Sequence, residues 1–261
     1  MSAREPKVLS STQNPLLQRA RAVLGGKDSA TIALQGDRLV DDALAAGVRA
    51  EIVFVAHDRP ERASELSARN VAVRFVDAGL LARVCTLATS PGILALAPTP
   101  DAYDLAGMGL AKDAIVLVVA GIADPRNLGA LARAAEAFGA AAFVTLPGGA
   151  SPWNEKSLRG SMGSLLRIPV VLGTSAESVA AVLAERSVRC VRASTRGGTD
   201  PRTFAQSGAV ALWISGETGD LPAHADRFDA LTIPMRAGPE SLNVTVAASI
   251  LLYELGRRRP I

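Results

Sequence analysis

The sequence predicts an α/β protein built as two consecutive units, a smaller one followed by a larger one. Three observations predict it. Short apolar runs alternate with helix-length segments of mixed polarity along most of the chain, which is the pattern of strands and helices layered around a sheet. The alternation stops once, from Pro98 to Asp113, where the composition turns to Pro, Gly, Ala and Asp without periodicity and reads as a linker. A chain of 261 residues that is 49% hydrophobic also has material for one large core or two ordinary ones. The expected boundaries are 1–100, a linker at 101–112, and 113–261.

Asn14-Pro15 opens the first helix with a capping side chain and a first-turn proline, and Gly25-Gly26 closes it after Leu24. Thr31–Leu34, Glu51–Ala56, Val71–Val76 and Ile93–Ala97 read as strands. Asp37–Ala46, Pro60–Ala68 and Asp77–Val84 read as helices between them, with Gly47 and Asn70 where C-terminal caps belong. Regular alternation implies a largely parallel sheet for this first unit. In the second unit, strands are expected at 115–120, 141–146, 169–172, 189–193, 210–215 and 230–233, and helices at 128–138, 155–164 and 175–185. The chain closes on Leu242–Leu255, apolar on all sides and therefore expected to be buried, with the polar Ser241 and Asn243 held at its start. Packing rules alone give this unit an open, doubly wound sheet.

The net charge of +3 is small, and its distribution is uneven. The first 105 residues hold 12 basic and 12 acidic side chains, the remainder 16 and 13. Within the balanced half, Arg4, Lys7, Arg19, Arg21 and Lys27 face only Glu5 before Asp28, and Arg257, Arg258 and Arg259 form a basic tail. Aromatic content of 4% argues against base stacking on exposed rings as the main way of holding a nucleic acid. Cys85 and Cys190 lack neighbours at metal-ligand spacing and read as reduced thiols, while His57 and His224 are isolated, so neither a zinc site nor a histidine base is expected. The N-terminus is charged and no apolar run reaches the length of a membrane span, which points to a cytoplasmic protein with no membrane partner.

No G-x-G-x-x-G follows a strand and no P-loop is present, which disfavours both dinucleotide and nucleoside-triphosphate sites of those kinds. Three other clusters each sit at a strand end. The first is Gly121-Ile-Ala-Asp-Pro-Arg-Asn-Leu-Gly-Ala-Leu-Ala-Arg133, a loop feeding a helix, with polar groups where free N–H groups favour anions. Taken alone it is an ordinary helix cap, and Arg133 an ordinary partner for Glu136 one turn on. The second is Leu212-Trp-Ile-Ser-Gly-Glu217 and its following loop; the third is Ile233-Pro-Met running through Ser241-Leu-Asn-Val-Thr-Val-Ala247. Loops at strand C-terminal ends line ligand crevices.

In this order the three clusters resemble the motifs of the SpoU/TrmH-type RNA 2′-O-ribose methyltransferases of the SPOUT superfamily, over residues 115–256. Leu158-Arg-Gly-Ser-Met-Gly-Ser-Leu-Leu-Arg-Ile-Pro-Val170 fits the intervening region. Asn14-Pro15 and Leu34–Leu44 resemble the family's N-terminal RNA-binding domain, similar in fold to certain large-subunit ribosomal proteins. Three departures stand out: Ser215 replaces a glycine, Thr218-Gly219-Asp220 replaces Gly-x-Gly, and Ala134 replaces a common threonine.

The resemblance implies a C-terminal α/β knot of the deep trefoil type, homodimerisation through it, and a bent pocket for S-adenosylmethionine. It assigns Asn127, Arg133, Glu217, Ser241 and Asn243 to the reaction centre. It assigns Thr195, Ser215, Gly216, Glu217, Ile233, Leu242, Asn243 and Val244 to the cofactor. The implied activity is methylation of a ribose 2′-hydroxyl in RNA, with 23S ribosomal RNA as the expected substrate. A tRNA substrate, or a catalytically silent RNA-binding or ribosome-assembly protein of the same fold, are the alternatives.

Overall fold

The computed structural model describes residues 8–205, 207–216, 221–237 and 240–257. The chain divides into two compact units, one comprising residues up to Pro100 with Trp153–Glu155, the other Asp101–Pro152 with Lys156 onward.

In the first unit the elements run α1 (Pro15–Leu24), β1 (Thr31–Gln35), α2 (Asp37–Ala45), β2 (Ile52–Ala56), α3 (Pro60–Ala68), β3 (Val73–Val76), α4 (Ala78–Val84) and β4 (Ile93–Pro98). Asn14 caps α1 by accepting from the Leu16 N–H at 3.0 Å, with Pro15 at the first helical position. One face of the sheet, carrying Phe54, Leu94 and Leu96, packs against Leu17 and Ala20 of α1 and Leu80 and Leu81 of α4. Between α2 and α3, Arg62 bridges Asp37, Asp41 and Glu65 at 3.0, 2.7 and 2.8 Å with only 10% of its side chain exposed.

The expectation of a largely parallel sheet is corrected here. The strand order is β1-β4-β2-β3, and β4 runs antiparallel to both β1 and β2, leaving β2–β3 as the parallel pair. The physical reason lies in the connection. The seven-residue α4 and the following segment 85–92 bring the chain back to the end of the sheet it had left, so Ile93 pairs with Val55 and β4 enters reversed. Alternation of strands and helices does not encode that reversal.

The second unit contains β5 (Ile115–Ala120), α5 (Pro125–Ala137), β6 (Ala142–Thr145), α6 (Glu155–Ser161), β7 (Val170–Leu172), α7 (Ala176–Glu185), β8 (Arg189–Ala193), β9 (Val210–Ser215), β10 (Asp229–Leu231) and α8 (Val244–Gly256). Its sheet, ordered β10-β8-β9-β5-β6-β7, is parallel throughout. The central β5 and β9 are unbroken apolar runs because both faces are covered, as parallel strands require. Trp213, 1% exposed, sits in the core on the α7 side with Val118, Val144 and Leu183.

The segment expected as a linker packs closely on this unit. Leu105 is buried in the same core, the Tyr103 N–H donates to the Val170 carbonyl at 2.8 Å, and Arg186 at the end of α7 donates to the carbonyls of Leu105, Ala106 and Met108. Lack of periodicity in 101–112 reflects a chain held by backbone hydrogen bonds.

Two further differences bear on the site. Helix α5 begins three residues earlier than its apolar pattern, because Asp124 caps it and Pro125 starts it. Helix α6 stops at Ser161, since Met162 and Gly163 take left-handed backbone angles, φ 49° and 84°. Cys85 and Cys190 are free, half-buried thiols, and burial pushes Cys85 up to about 11. Among the described residues no helix is long and apolar enough to cross a membrane.

Candidate active site

The sheet of the second unit reverses its winding between β5 and β9: from β5 the chain proceeds outward through β6 and β7, whereas β8 and β10 lie on the other side of β9. Parallel sheets open a crevice at such a point, outside the strand C-terminal ends. A cavity of about 680 Å³ opens there. Three segments converge on it: Gly121–Asp124 with Asn127 after β5, Ser215 and Gly216 after β9, and Ile233, Met235 and Ser241–Val244 before and at the start of α8. Ala193–Thr195, at the end of β8, completes the wall.

The backbones of the first two segments almost touch. The Gly216 N–H donates to the Ala120 carbonyl at 2.9 Å, and a Cβ on Gly216 would lie under 3.0 Å from the Gly121 carbonyl oxygen. Gly121 itself has φ 61°, which a side chain would strain. The loop end of β5 and the loop end of β9 are thus brought together by two positions that carry no side chain.

Asn243 caps α8. Its side-chain oxygen accepts from the Thr245 N–H at 2.9 Å and the Val246 N–H at 3.4 Å, so its amide NH₂ is the group left for a ligand. The Thr245 hydroxyl reaches back to the Asn127 carbonyl at 3.5 Å, linking the start of α8 to α5. At the cavity edge, Asp124 accepts from the Arg126 side chain and the Arg126 N–H, and this holds its carboxyl below the usual carboxylate range. The same Asp-Pro-Arg geometry recurs at Asp200–Arg202, away from the cavity, so the pairing is a local turn device. Among the described lining residues Asp124 is the one acid, and none is a histidine.

Most residues singled out from sequence converge here. Asn127, Ser241 and Asn243 line the cavity, as do Thr195, Ser215, Gly216, Ile233, Leu242 and Val244. Glu217 lies outside the described residues. Arg133 does not line the cavity; it is exposed on α5, where its Nη1 donates to the Met162 sulfur at 3.1 Å. Nor does it pair with Glu136, whose two oxygens accept from Arg167 at 2.6 and 2.8 Å. Sequence reading missed the apolar floor: Ile122, Leu231, Met235, Ala247 and Leu251. Only Gly121, a glycine directly after a buried strand, carried a local signal.

The final helix is less buried than its composition implied. Ala248, Leu251, Leu252 and Leu255 are buried, but Val246, Ile250 and Tyr253 are 47%, 36% and 52% exposed. Their spacing places them on one stripe, at whose C-terminal end Tyr253 meets Phe138, the C-cap residue of α5, edge-on with ring centroids 5.9 Å apart.

The sequence profile of the SpoU rRNA Methylase family matches residues 114–253. The chain is 31% identical over 228 residues to the 23S rRNA (guanosine(2553)-2′-O)-methyltransferase RlmP of Bacillus subtilis, covering 86% of this chain and 88% of that protein. The fold superposes on the SpoU methyltransferase AviRb from Streptomyces viridochromogenes with a TM-score of 0.80 and 26% identity, covering 94% of this chain and 98% of AviRb. It also superposes on an AdoMet-bound rRNA methyltransferase from Sinorhizobium meliloti with a TM-score of 0.84 at 23% identity, covering 97% and 98% of the two chains.

Proposed function

The chain belongs to the SpoU rRNA methylase family, and on that premise we propose that it transfers a methyl group from S-adenosylmethionine to a ribose 2′-hydroxyl of ribosomal RNA. The observation that carries this reading is the convergence of all three motif segments on one cavity at the winding reversal of the parallel sheet. That cavity, about 680 Å³, has the size of a small-molecule site, for which roughly 300–1,000 Å³ is usual. Its lining includes the apolar Ile122, Leu231, Ile233, Leu242 and Leu251, suited to an adenine ring, beside the polar Asn127, Ser241 and Asn243.

S-adenosylmethionine supplies an electrophilic methyl group on a sulfonium. The residues assigned to hold it are Thr195, Ser215, Gly216, Ile233, Leu242, Asn243 and Val244, together with Glu217. What remains for the protein is chiefly alignment of the attacking oxygen, a geometric task. The amide NH₂ of Asn243, the Ser241 hydroxyl and the polar start of α5 at Asn127, all at the cavity, would hold the ribose. With its planar fork of N–H donors, Arg133 would grip an RNA phosphate and stabilise the developing alkoxide. The hydroxyl proton leaves to water or to a carboxylate, for which Glu217 is the candidate.

The first unit would hold the structured RNA, and the segment between β10 and α8 would thread as a trefoil knot. Support for the threading comes from the return of α8 from the edge strand β10 to the centre of the sheet, against α5 and β9. A cytoplasmic homodimer, joined across the exposed α8 stripe, completes the reading. Ile250→Glu places a charge in that stripe and is expected to halve the mass measured by light scattering. Retention of the wild-type mass in this variant would exclude the stripe as the interface.

Two measurements test the function. Titration calorimetry with S-adenosylmethionine is expected to give saturable heat, and ribosomal RNA from a strain lacking the gene is expected to lose one 2′-O-methyl group. No heat at millimolar cofactor, with every ribosomal methyl group retained, would leave a silent RNA-binding protein; loss of a methyl group from tRNA instead would redirect the substrate.

A further inference from the structure

We propose that Met162 is a positioning residue for Arg133: its thioether aims the guanidinium while leaving its charge whole. The proposal rests on the reading above, in which Arg133 meets the RNA at the reaction centre.

Two independent features point to it. The first is electrostatic. An arginine with a glutamate three residues on in the same helix ordinarily pairs with it, yet both oxygens of Glu136 are taken by Arg167. The one acceptor that the described residues offer Arg133 is the Met162 sulfur, at 3.1 Å from Nη1. A thioether is a weak, uncharged acceptor, so it orients one N–H and neutralises nothing. An ion pair with Glu136 would have compensated the very charge that a phosphate or alkoxide needs.

The second feature is backbone strain. Met162 holds φ 49° and is followed by Gly163 at φ 84°. Glycine or asparagine adopts the left-handed region at lower cost than a residue such as methionine. The turn is pinned by the Met162 N–H donating to the Arg159 carbonyl at 3.1 Å and by Arg167 Nη2 donating to the Met162 carbonyl at 3.3 Å. Arg167 therefore does two things at once: it draws Glu136 away from Arg133 and holds the strained residue whose side chain replaces it. Strain of this kind persists where the surroundings impose it, commonly at functional sites.

Three variants separate positioning from simple space filling, assayed by methyl transfer from S-adenosylmethionine to ribosomal RNA extracted from a strain lacking the gene. Met162→Gly removes the thioether and relieves the backbone strain; the expected result is an unchanged or higher Tm with kcat reduced roughly tenfold or more, the scale set by misplacing a catalytic group. Met162→Leu keeps the bulk without the acceptor and is expected to lose kcat similarly, with the calorimetric Kd for S-adenosylmethionine unchanged because Met162 lies outside the cavity. Met162→Gln restores an acceptor and should recover part of the loss. Arg133→Ala is the reference. Wild-type kcat in both the Gly and Leu variants, with Arg133→Ala inactive, overturns this inference and leaves the functional reading standing. Wild-type kcat in Arg133→Ala overturns both.

Discussion

Gly216→Ala is expected to weaken S-adenosylmethionine binding by at least about tenfold, or ~1.4 kcal/mol, while the protein remains folded. The cause is local and rigid. The added methyl would lie under 3.0 Å from the Gly121 carbonyl oxygen and 3.1 Å from its carbonyl carbon, and both are backbone atoms that no rotamer change can move. Relief requires the end of β9 to part from the end of β5, which widens the cavity at the junction of two of its three walls. The strands themselves stay paired from Ile115–Val210 to Ala120–Ser215, so the loss of affinity should far exceed the loss of stability. Calorimetry and thermal unfolding on the same preparation decide it. Undiminished affinity in a folded variant would mean that the cofactor does not use this junction.

A second glycine should act on stability instead. Gly129 is buried in α5, and a Cβ there would meet the Ser157 carbonyl oxygen under 3.0 Å, the Ser161 nitrogen at 2.7 Å and the Gly160 carbonyl carbon at 2.9 Å. All three are backbone atoms of α6. Alanine in a helix interior is better than glycine by about 1 kcal/mol on propensity alone, so an exposed site would gain from Gly129→Ala. Here the overpacking term opposes it, at about 1–3 kcal/mol and more when only backbone can yield. The expected outcome is net destabilisation of about 2 kcal/mol, a fall in Tm of roughly 4–8 °C for a unit of this size. A rise in Tm would show that α5 and α6 do not approach so closely.

Much of the architecture was legible in the sequence. All ten strands overlap the expected runs, with ends displaced by at most two residues, because buried parallel strands such as Ile115–Ala120 are apolar throughout and are bounded by Gly, Pro or Asp. The start of α1 was read from its cap-and-proline pair, Asn14-Pro15, whereas that of α5 was read from its first apolar residue and so fell three residues late, although Asp124-Pro125 is the same kind of pair. Strand direction was not legible. The reversed β4 depends on where the connection after α4 delivers the chain, and no residue in Ile93–Pro98 records it. Segment 101–112 was misjudged for a related reason: a stretch held by backbone donors and by the distant Arg186 leaves no periodic trace.

The candidate site divides the same way. Its polar members, Asn127, Thr195, Ser215, Ser241 and Asn243, could be named in advance because they fall in the motifs that carry the family resemblance or, for Thr195, at the end of β8. Its apolar floor could not, since Leu231 and Leu251 look like any core residue until their neighbours are known. The same holds for Arg133. The motif identified the side chain, but that Glu136 is held by Arg167, and that a strained methionine stands in its place, follows from contacts between residues some thirty positions apart. By itself the sequence determined the succession of strands and helices, the family, and which polar residues would meet in one cavity. Hydrogen-bonding propensity and burial period are local properties that a chain writes residue by residue. Only the tertiary structure decided strand direction, the meeting of Gly121 with Gly216, and which charges stay uncompensated, because each depends on distances between segments remote in the chain.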